Sequence, residues 1–140
     1  MGLVMTKIKL TNFNDMQNAK AGLIAPEAIR QVEIEALADT GAIALAIPED
    51  IAARLGVPVV RQKDVRVADG RVIQLTQVGG LYIEVLGREM TGDARVLPAG
   101  TTPLLGAVQM EMLDLIVSPS TGEVLPRDPA GPTLPLLAAS

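Results

Sequence analysis

The sequence predicts a mostly β protein with a compact, partly closed sheet and one or two short helices. Short β-rich segments alternate with Gly and Pro along the chain, whereas helical periodicity is scarce. The 140 residues are enough for one domain with a sizeable core. Hydrophobic residues make up 49% of the chain and only Phe13 and Tyr82 are aromatic, so the core must be aliphatic.

Three strands are predicted in the first third of the chain. Met5–Asn12 is predicted as the first strand. In the second, Gln31–Ala38, apolar residues alternate with Glu33 and Glu35, which is typical of a half-buried strand. Ile43–Ile47 is apolar throughout and is predicted as a third, buried strand.

A short helix is predicted directly after the third strand. Pro48 suits the first helical turn, and the acidic Glu49 and Asp50 favour the positive end of the helix dipole. Gly56 is placed to end this helix, because glycine readily adopts the left-handed conformation found after a last turn.

Two hairpins are predicted in the middle of the chain. In Val65–Val78, Asp69-Gly70 lies between two β-rich runs and favours a two-residue type I′ turn, which needs positive φ angles. The second hairpin is predicted around Gly87-Arg88, where it joins strands over Leu81–Leu86 and Glu89–Leu97.

The remaining elements of the domain follow a loop over Pro98–Pro103. Leu104-Leu105-Gly106 leads into a helical stretch over Ala107–Leu113. A last hairpin is predicted to pair Leu115–Val117 with Glu123–Leu125. From residue 126 to 140 the chain is rich in Pro, which predicts an extended or disordered tail after a domain over residues 1–125.

The composition excludes several kinds of site. Without His or Cys the chain cannot build Ser/His or Cys/His nucleophiles, thiolate metal sites or the usual zinc sites. A Ser/Lys pair is formally possible, but Ser118, Ser120 and Ser140 lie in turn-like or terminal segments. No metal and no cofactor is predicted, and carboxylate chemistry is the natural alternative.

The charge and hydropathy patterns bear on partners and location. With 12 basic and 16 acidic residues the net charge is −4, and no basic block occurs, so nucleic acid is not expected as a partner. Met1–Leu10 contains Lys7 and Lys9 and resembles neither a signal peptide nor a membrane span. A soluble, cytoplasmic protein without a membrane partner is therefore expected.

Asp39 is the strongest candidate for chemistry, because it ends an apolar strand and opens a turn of small residues. Two carboxylates at close range cannot both ionise, so such a pair shares a proton. One then activates water as a base while the other protonates the peptide carbonyl. The chain has a single Asp-Thr-Gly, so the second carboxylate would be Asp39 of another subunit across a two-fold axis. An ordinary turn is the structural alternative.

Several further motifs accompany Asp39 in a fixed order between residues 29 and 124. They are Ala36-Leu37-Ala38-Asp39-Thr40-Gly41-Ala42, Ile47-Pro48, Leu55-Gly56, Ala68-Asp69-Gly70, Leu97-Pro98 and Pro103-Leu104-Leu105-Gly106. In this set and order the chain resembles the retropepsin-like aspartic proteases, specifically the small bacterial single-domain type. The resemblance implies a retropepsin-like acid protease fold and an obligate two-fold homodimer.

The resemblance also implies roles for the residues of the turn. Asp39 would be the catalytic carboxylate, and the Thr40 hydroxyl would lock the two active-site loops together across the dimer. Gly41 would let the backbone approach the substrate and offer its carbonyl as an acceptor. Ala42 would complete the active-site loop that binds substrate.

Two other segments receive roles from the resemblance. The Val65–Val78 hairpin would be a flap, with Ala68, Asp69 and Gly70 at its tip closing over a bound peptide. Its charged tip would favour basic substrates or a different closure. The triplet Leu104, Leu105 and Gly106 would pack beneath the catalytic loop and support it.

Three hypotheses for the function follow. The first is a homodimeric aspartic endopeptidase that hydrolyses peptide bonds in extended, largely apolar segments without metal or covalent intermediate. The second is a non-catalytic dimeric peptide-binding or assembly module on the same fold, since fold does not secure function. The third is an accessory domain whose Pro-rich tail docks a partner.

Overall fold

The computed structural model describes residues 3–129. The elements in chain order are β1 (Met5–Asn12), α1 (Phe13–Lys20), a 3₁₀ turn (Pro26–Ala28), β2 (Gln31–Ala38), β3 (Ala46–Pro48), α2 (Glu49–Leu55), β4 (Val59–Arg66), β5 (Val72–Val85), β6 (Arg88–Leu97), β7 (Leu104–Leu105), α3 (Ala107–Met112), β8 (Leu115–Ser118) and β9 (Glu123–Pro126). The prediction of a mostly β protein with short helices is confirmed. None of the helices within residues 3–129 is long and apolar enough to cross a membrane.

The main sheet closes on itself as a ring. Its strand order is β1-β2-β7-β3-β6-β5-β4, and β1 also pairs with β5, so six strands form the ring while β4 extends from β5 alone. Strands β8 and β9 form a separate hairpin. This arrangement leaves the β4–β5 hairpin projecting from the ring, and it confirms the predicted partly closed sheet.

The core inside the ring is aliphatic, as the composition predicts. Ile8 and Leu10 of β1 and Leu81 and Ile83 of β5 are fully buried. Leu55 of α2 is also fully buried and belongs to the same core. Burying a side chain of this size contributes about 1.5–3 kcal/mol, so these residues carry much of the folding free energy.

One helix, α1, was not predicted from the sequence. The Asn12 side chain caps it by accepting a hydrogen bond from the Asp15 N–H at 2.9 Å, and the same side chain donates to the Leu55 carbonyl at 2.8 Å. Asp15 in turn is buried against Arg30. The helix therefore depends on Arg30, which is 15 residues from Asp15, and on Leu55, which is 43 residues from Asn12. The local sequence pattern does not reveal either partner.

The third strand is shorter than predicted and begins later. It spans Ala46–Pro48, whereas Ile43 is 77% exposed and lies outside it. The physical reason is that the carbonyls of Ala42 and Ile43 accept hydrogen bonds from Ala107 and Val108 at the start of α3, at 2.8 and 3.0 Å. These groups are therefore unavailable to a strand ladder.

The hairpin at Asp69-Gly70 exists, but its predicted two-residue type I′ turn is wrong. Gly70 has a φ of 89° and Asp69 does not have a positive φ. The Val67 N–H donates to the Arg71 carbonyl and the Gly70 N–H to the Val67 carbonyl, which makes a three-residue loop with a bulge at Gly70. Asp69 Oδ1 accepts from the Arg71 N–H at 3.0 Å and holds this conformation.

The next hairpin differs from its prediction in two ways. Its turn is Leu86-Gly87, with φ angles of 51° and 77°, one residue before the predicted position. Its first strand is part of the 14-residue β5, which continues across Gly79-Gly80 as a bulge in the pairing with β6.

The remaining predicted elements are confirmed. Helix α2 ends at Gly56, which has a φ of 64°, and α3 and the β8–β9 hairpin lie where expected. In the predicted tail, Pro126 ends β9, and residues 130–140 lie outside the described residues. The boundary at residue 125 stays a prediction.

Candidate active site

Backbone hydrogen bonds hold Asp39 in a tight turn at the end of β2. Its N–H donates to the Leu105 carbonyl at 3.0 Å, and its carbonyl accepts from the Ala42 N–H at 3.0 Å. Its carboxylate Oδ1 accepts from the Gly41 N–H at 2.9 Å. Asp39 is half-buried and Thr40 is exposed, so the oriented carboxylate lies at a surface that solvent reaches.

The strand β7 lies directly against this turn. Leu104 and Leu105 pair in parallel with Leu37 and Ala38 of β2, and Leu104 also pairs with Ala46 of β3. Leu105 is fully buried, so the β7 backbone fills the gap between the strands on either side of the Asp39 turn. The structure thus brings the predicted Leu104-Leu105-Gly106 support together with the predicted active-site loop.

Because Gly106 has no side chain, the backbone at this position packs directly against the backbone of Ala44. A Cβ at this position would lie 2.7 Å from the backbone N, C and O of Ala44, closer than any real side chain tolerates. The following residue, Ala107, donates its N–H to the Ala42 carbonyl. The start of α3 therefore holds the segment that follows Gly41 and Ala42.

Asp39 opens onto an apolar hollow of about 670 Å³. The hollow is lined by Leu3, Val4, Leu37, Ala38, Asp39, Thr40, Val117, Ser118, Pro119 and Gly122. A second hollow of about 800 Å³ shares Thr40 and Val117 with it and runs along α3 and β8. The two together make a broad depression beside Asp39.

The predicted flap tip lies at the end of a hairpin that projects from the ring into solvent. Ala68, Asp69 and Gly70 are all exposed, as is β4 along nearly its whole length. The Asp69 carboxylate is occupied, because its Oδ2 accepts from Arg71 Nε at 2.6 Å. Among residues 3–129, no hydrogen bond or ion pair joins this tip to the Asp39 turn.

The motifs and the fold around Asp39 match a known protein family. The model of the family described as aspartyl protease matches residues 25–108, which is 84 of the 140 residues. The chain belongs to the aspartyl protease family. The match spans the Asp39 turn, the β4–β5 hairpin and Leu104–Gly106, and it confirms the family predicted from the motifs. A search of curated proteins finds no match.

Membership in the aspartyl protease family supports a peptidase, a hydrolase that acts on peptide bonds. It also fits the ring-like, mostly β fold described above. Among residues 3–129, no group of three or more acidic side chains is placed to hold a metal ion.

Some residues around the aspartyl protease turn were not found from the sequence. Val4 accepts a hydrogen bond from the Ala38 N–H at 2.8 Å, and Leu3, Val117 and Pro119 line the hollow beside Asp39. No motif marks these four residues. They meet Asp39 only because β1 pairs with β2 and because the β8–β9 hairpin folds back toward the turn.

Proposed function

We propose that the protein is an aspartic endopeptidase whose active site forms between two copies of the chain, each contributing Asp39. One observation carries this proposal. The Asp39 carboxylate is oriented by the Gly41 N–H at an open, apolar depression, and the chain has no second Asp-Thr-Gly with which to complete a pair.

The chemistry follows from two carboxylates that share one proton. The ionised carboxylate takes a proton from a water molecule as the water oxygen attacks the peptide carbonyl carbon. The protonated carboxylate gives its proton to the carbonyl oxygen. In the collapse of the tetrahedral intermediate, the carboxyl group that took the water proton gives it to the amide nitrogen and the C–N bond breaks. The other, now ionised, carboxylate takes a proton from a hydroxyl of the intermediate, which becomes the new carboxyl group and leaves the pair sharing one proton again. Because the pair titrates as a unit, its pH profile belongs to both Asp39 side chains together.

Exposed apolar side chains around Asp39 support a second copy as its partner. Leu3, Met112 and Ile116 are 79%, 64% and 42% exposed, and Met112 and Ile116 line the larger hollow while Leu3 lines the smaller one. Large exposed apolar side chains around one site are typical of interfaces. A two-fold axis close to Thr40, which borders both hollows, would cover this surface and bring the two carboxylates together.

The projecting β4–β5 hairpin supplies a second element of the proposal. Its exposed Ala68–Gly70 tip would close over an extended peptide bound beside Asp39. Such a peptide would add strand-like backbone hydrogen bonds to the hairpin, which is a common mode of peptide recognition. The peptide side chains would then meet the apolar surface formed by residues such as Leu37 and Val117.

Asp39→Asn is the decisive variant, and Asp50→Asn is its matched control because Asp50 is exposed in the first turn of α2. We would digest a peptide library with each protein from acidic to neutral pH at several protein concentrations. The proposal expects cleavage that disappears in Asp39→Asn, persists in Asp50→Asn and falls faster than linearly on dilution. Cleavage that survives in Asp39→Asn would refute it.

The same experiment addresses the non-catalytic alternative. In that case the protein would capture peptides without cutting them at any pH, and Asp39→Asn would bind equally well. Sedimentation of both proteins, with circular dichroism as a check on folding, separates this outcome from a misfolded or monomeric sample.

A further inference from the structure

A continuous row of paired residues crosses the sheet from the Asp39 strand to the projecting hairpin. The row consists of Leu37, Leu104, Ala46, Arg95, Gln77 and Arg61, each paired with the next. Residues that are paired across neighbouring strands project their side chains on the same face of a sheet. Leu37 and Arg95 therefore share one face.

This face is open to solvent at the two ends of the row, whereas Ala46 in its middle is almost fully buried. Residues adjacent to the row in sequence point the other way, and Ala36, Leu105, Ala94 and Val78 among them are almost fully buried in the core. Leu37, at one end of the row, lines the hollow that contains Asp39. Arg95 and Arg61, toward the other end, are exposed.

The hairpin end of the row forms a small basic hollow. It has a volume of about 250 Å³ and is lined by Arg61, Lys63, Leu75, Thr76, Gln77 and Arg95. Within residues 3–129, none of its three cations forms a salt bridge. Three unneutralised cations around one hollow are unexpected in a chain whose net charge is −4.

The nearby acidic groups do not cancel this charge. Asp93 lies two residues before Arg95 on the same face, and its Oδ2 accepts a hydrogen bond from Gln77 Nε2 at 3.0 Å. One carboxylate against three cations leaves an excess positive charge. Asp64 lies on the opposite face of β4, because it is adjacent in sequence to Lys63.

We infer that this basic hollow is a substrate subsite that binds an acidic side chain, Glu or Asp, of the peptide. Arg95 and Leu37 are three strand spacings apart, at most about 14 Å along the sheet at about 4.8 Å per strand. An extended peptide covers that distance in about four residues at about 3.4 Å each. The acidic residue is therefore expected within about four positions of the bond that is cut.

The flap tip does not compete for this role. The Asp69 carboxylate, which on sequence grounds would favour basic substrates, is already paired with Arg71. The charged side chains that line the hollow are Arg61 and Lys63 of the hairpin, together with Arg95 of β6. The inference rests on the proposed function, since it assigns specificity to the same site.

The test uses decapeptides with an apolar centre in which a single Glu, or its neutral isostere Gln, is placed at each position in turn. The full-length protein is expected to cleave the Glu peptide about tenfold faster than the Gln peptide at one position within four of the cut, measured as kcat/KM. The preference should vanish in the Arg61→Gln/Arg95→Gln double variant and weaken at high salt, because surface charges are screened. The readout is the ratio of kcat/KM for the Glu and Gln peptides within each protein, so a change in overall activity of the variant does not affect it.

Arg54→Gln is the matched control, since it removes one exposed cation from α2, away from the hairpin. If wild-type protein cleaves Glu and Gln peptides equally, or if the double variant keeps the preference, the subsite is refuted while the proposed peptidase stands. If no peptide is cut, fluorescence anisotropy of the same labelled peptides decides the matter. Tighter binding of Glu peptides that depends on Arg61 and Arg95 supports the subsite without catalysis, and equal binding refutes it.

Discussion

Gly106 and Ala44 lie so close together that no side chain fits between them. A Cβ on Gly106 would lie 2.7 Å from three backbone atoms of Ala44, which follows Asp39 by five residues. On either side of this approach, Asp39 donates to Leu105 and Ala107 donates to Ala42. The position of the candidate catalytic carboxylate therefore depends on a residue that is 67 positions away in the chain.

Replacing Gly106 with Ala should displace the segment around Ala44, because the new methyl group would lie 2.7 Å from backbone atoms of Ala44, which cannot rotate away as a side chain could. We expect a loss of about 1–3 kcal/mol in the free energy of unfolding. We also expect lower peptidase activity under conditions where the variant remains fully folded. Urea denaturation and kcat on the best library peptide measure the two effects. Gly92→Ala is the control, since a Cβ there would meet nothing closer than 3.6 Å. Equal stability of Gly106→Ala and Gly92→Ala would contradict the close approach.

The ion pair between Asp15 and Arg30 should make stability depend on pH in the acidic range. Asp15 is buried and accepts three hydrogen bonds from Arg30, at 2.8 and 3.0 Å from the guanidinium and 3.0 Å from the backbone N–H. The side-chain hydrogen bonds from Arg30 hold the Asp15 pKa below its usual value of 3.8. A lowered folded-state pKa stabilises the fold above the unfolded pKa, and this contribution is lost as the pH falls through the folded value.

Asp15→Asn should therefore be less stable than wild type at pH 7 by about 1–2 kcal/mol. This difference should shrink as the pH falls below about 4, where Asp15 of the unfolded chain takes up a proton, and it should disappear once the folded Asp15 is protonated as well. Urea denaturation at a series of pH values measures it, with Asp64→Asn, which changes an exposed carboxylate of β4, as the control. A difference that stays constant down to pH 2 would show that the charge of Asp15 is not what stabilises the fold.

Residues 127–129 should belong to the folded domain rather than to a tail. Arg127 donates its N–H to the Asp114 carbonyl at 2.9 Å, and its Nε lies 2.5 Å from Asp114 Oδ1. Asp114 is itself buried, and Arg88 contacts both Asp114 and the Asp128 carbonyl. A chain that ends after Pro126 loses these contacts and leaves the Asp114 carboxylate with Arg88 as its ion-pair partner.

We expect the chain ending after Pro126 to be less stable than the chain ending after Pro129 by about 2 kcal/mol. Comparing two truncations isolates the three residues, because both lack residues 130–140. Thermal unfolding of the two proteins measures the difference. Equal midpoints would instead favour the boundary that the proline pattern places at residue 125.

The turns illustrate how far local sequence could predict the fold. Gly56 ends α2 as expected, because a left-handed residue after a helix is a local requirement that glycine meets. Asp69-Gly70 was expected to form a type I′ turn, but the Asp69 side chain bonds to Arg71 and selects a different loop. Both the helix end and the hairpin were predictable; at Gly56 the detailed geometry was too, whereas at Asp69-Gly70 a side-chain partner decided it.

In the candidate active site, some residues could be predicted from motifs and others could not. Asp39, Thr40, Gly41 and the Leu104-Leu105-Gly106 triplet were singled out from motifs, and the fold brings them together. Leu3, Val117 and the basic residues of the hairpin were not singled out, because no motif marks them. They reach the hollow beside Asp39 and the basic hollow only through strand pairing. The helix α1 was missed for a related reason, since its cap and its buried Asp15 depend on Leu55 and Arg30.

The sequence by itself determined the family, the aliphatic core, most of the strands and the single candidate catalytic carboxylate. These properties reside in local patterns of polarity, in turn chemistry and in the order of short motifs. Only the tertiary structure decided that β7 enters between β2 and β3, that Gly106 touches Ala44 and that Arg61 and Arg95 share a face with Leu37. Those relationships arise from register and close packing between distant segments, which no local pattern encodes.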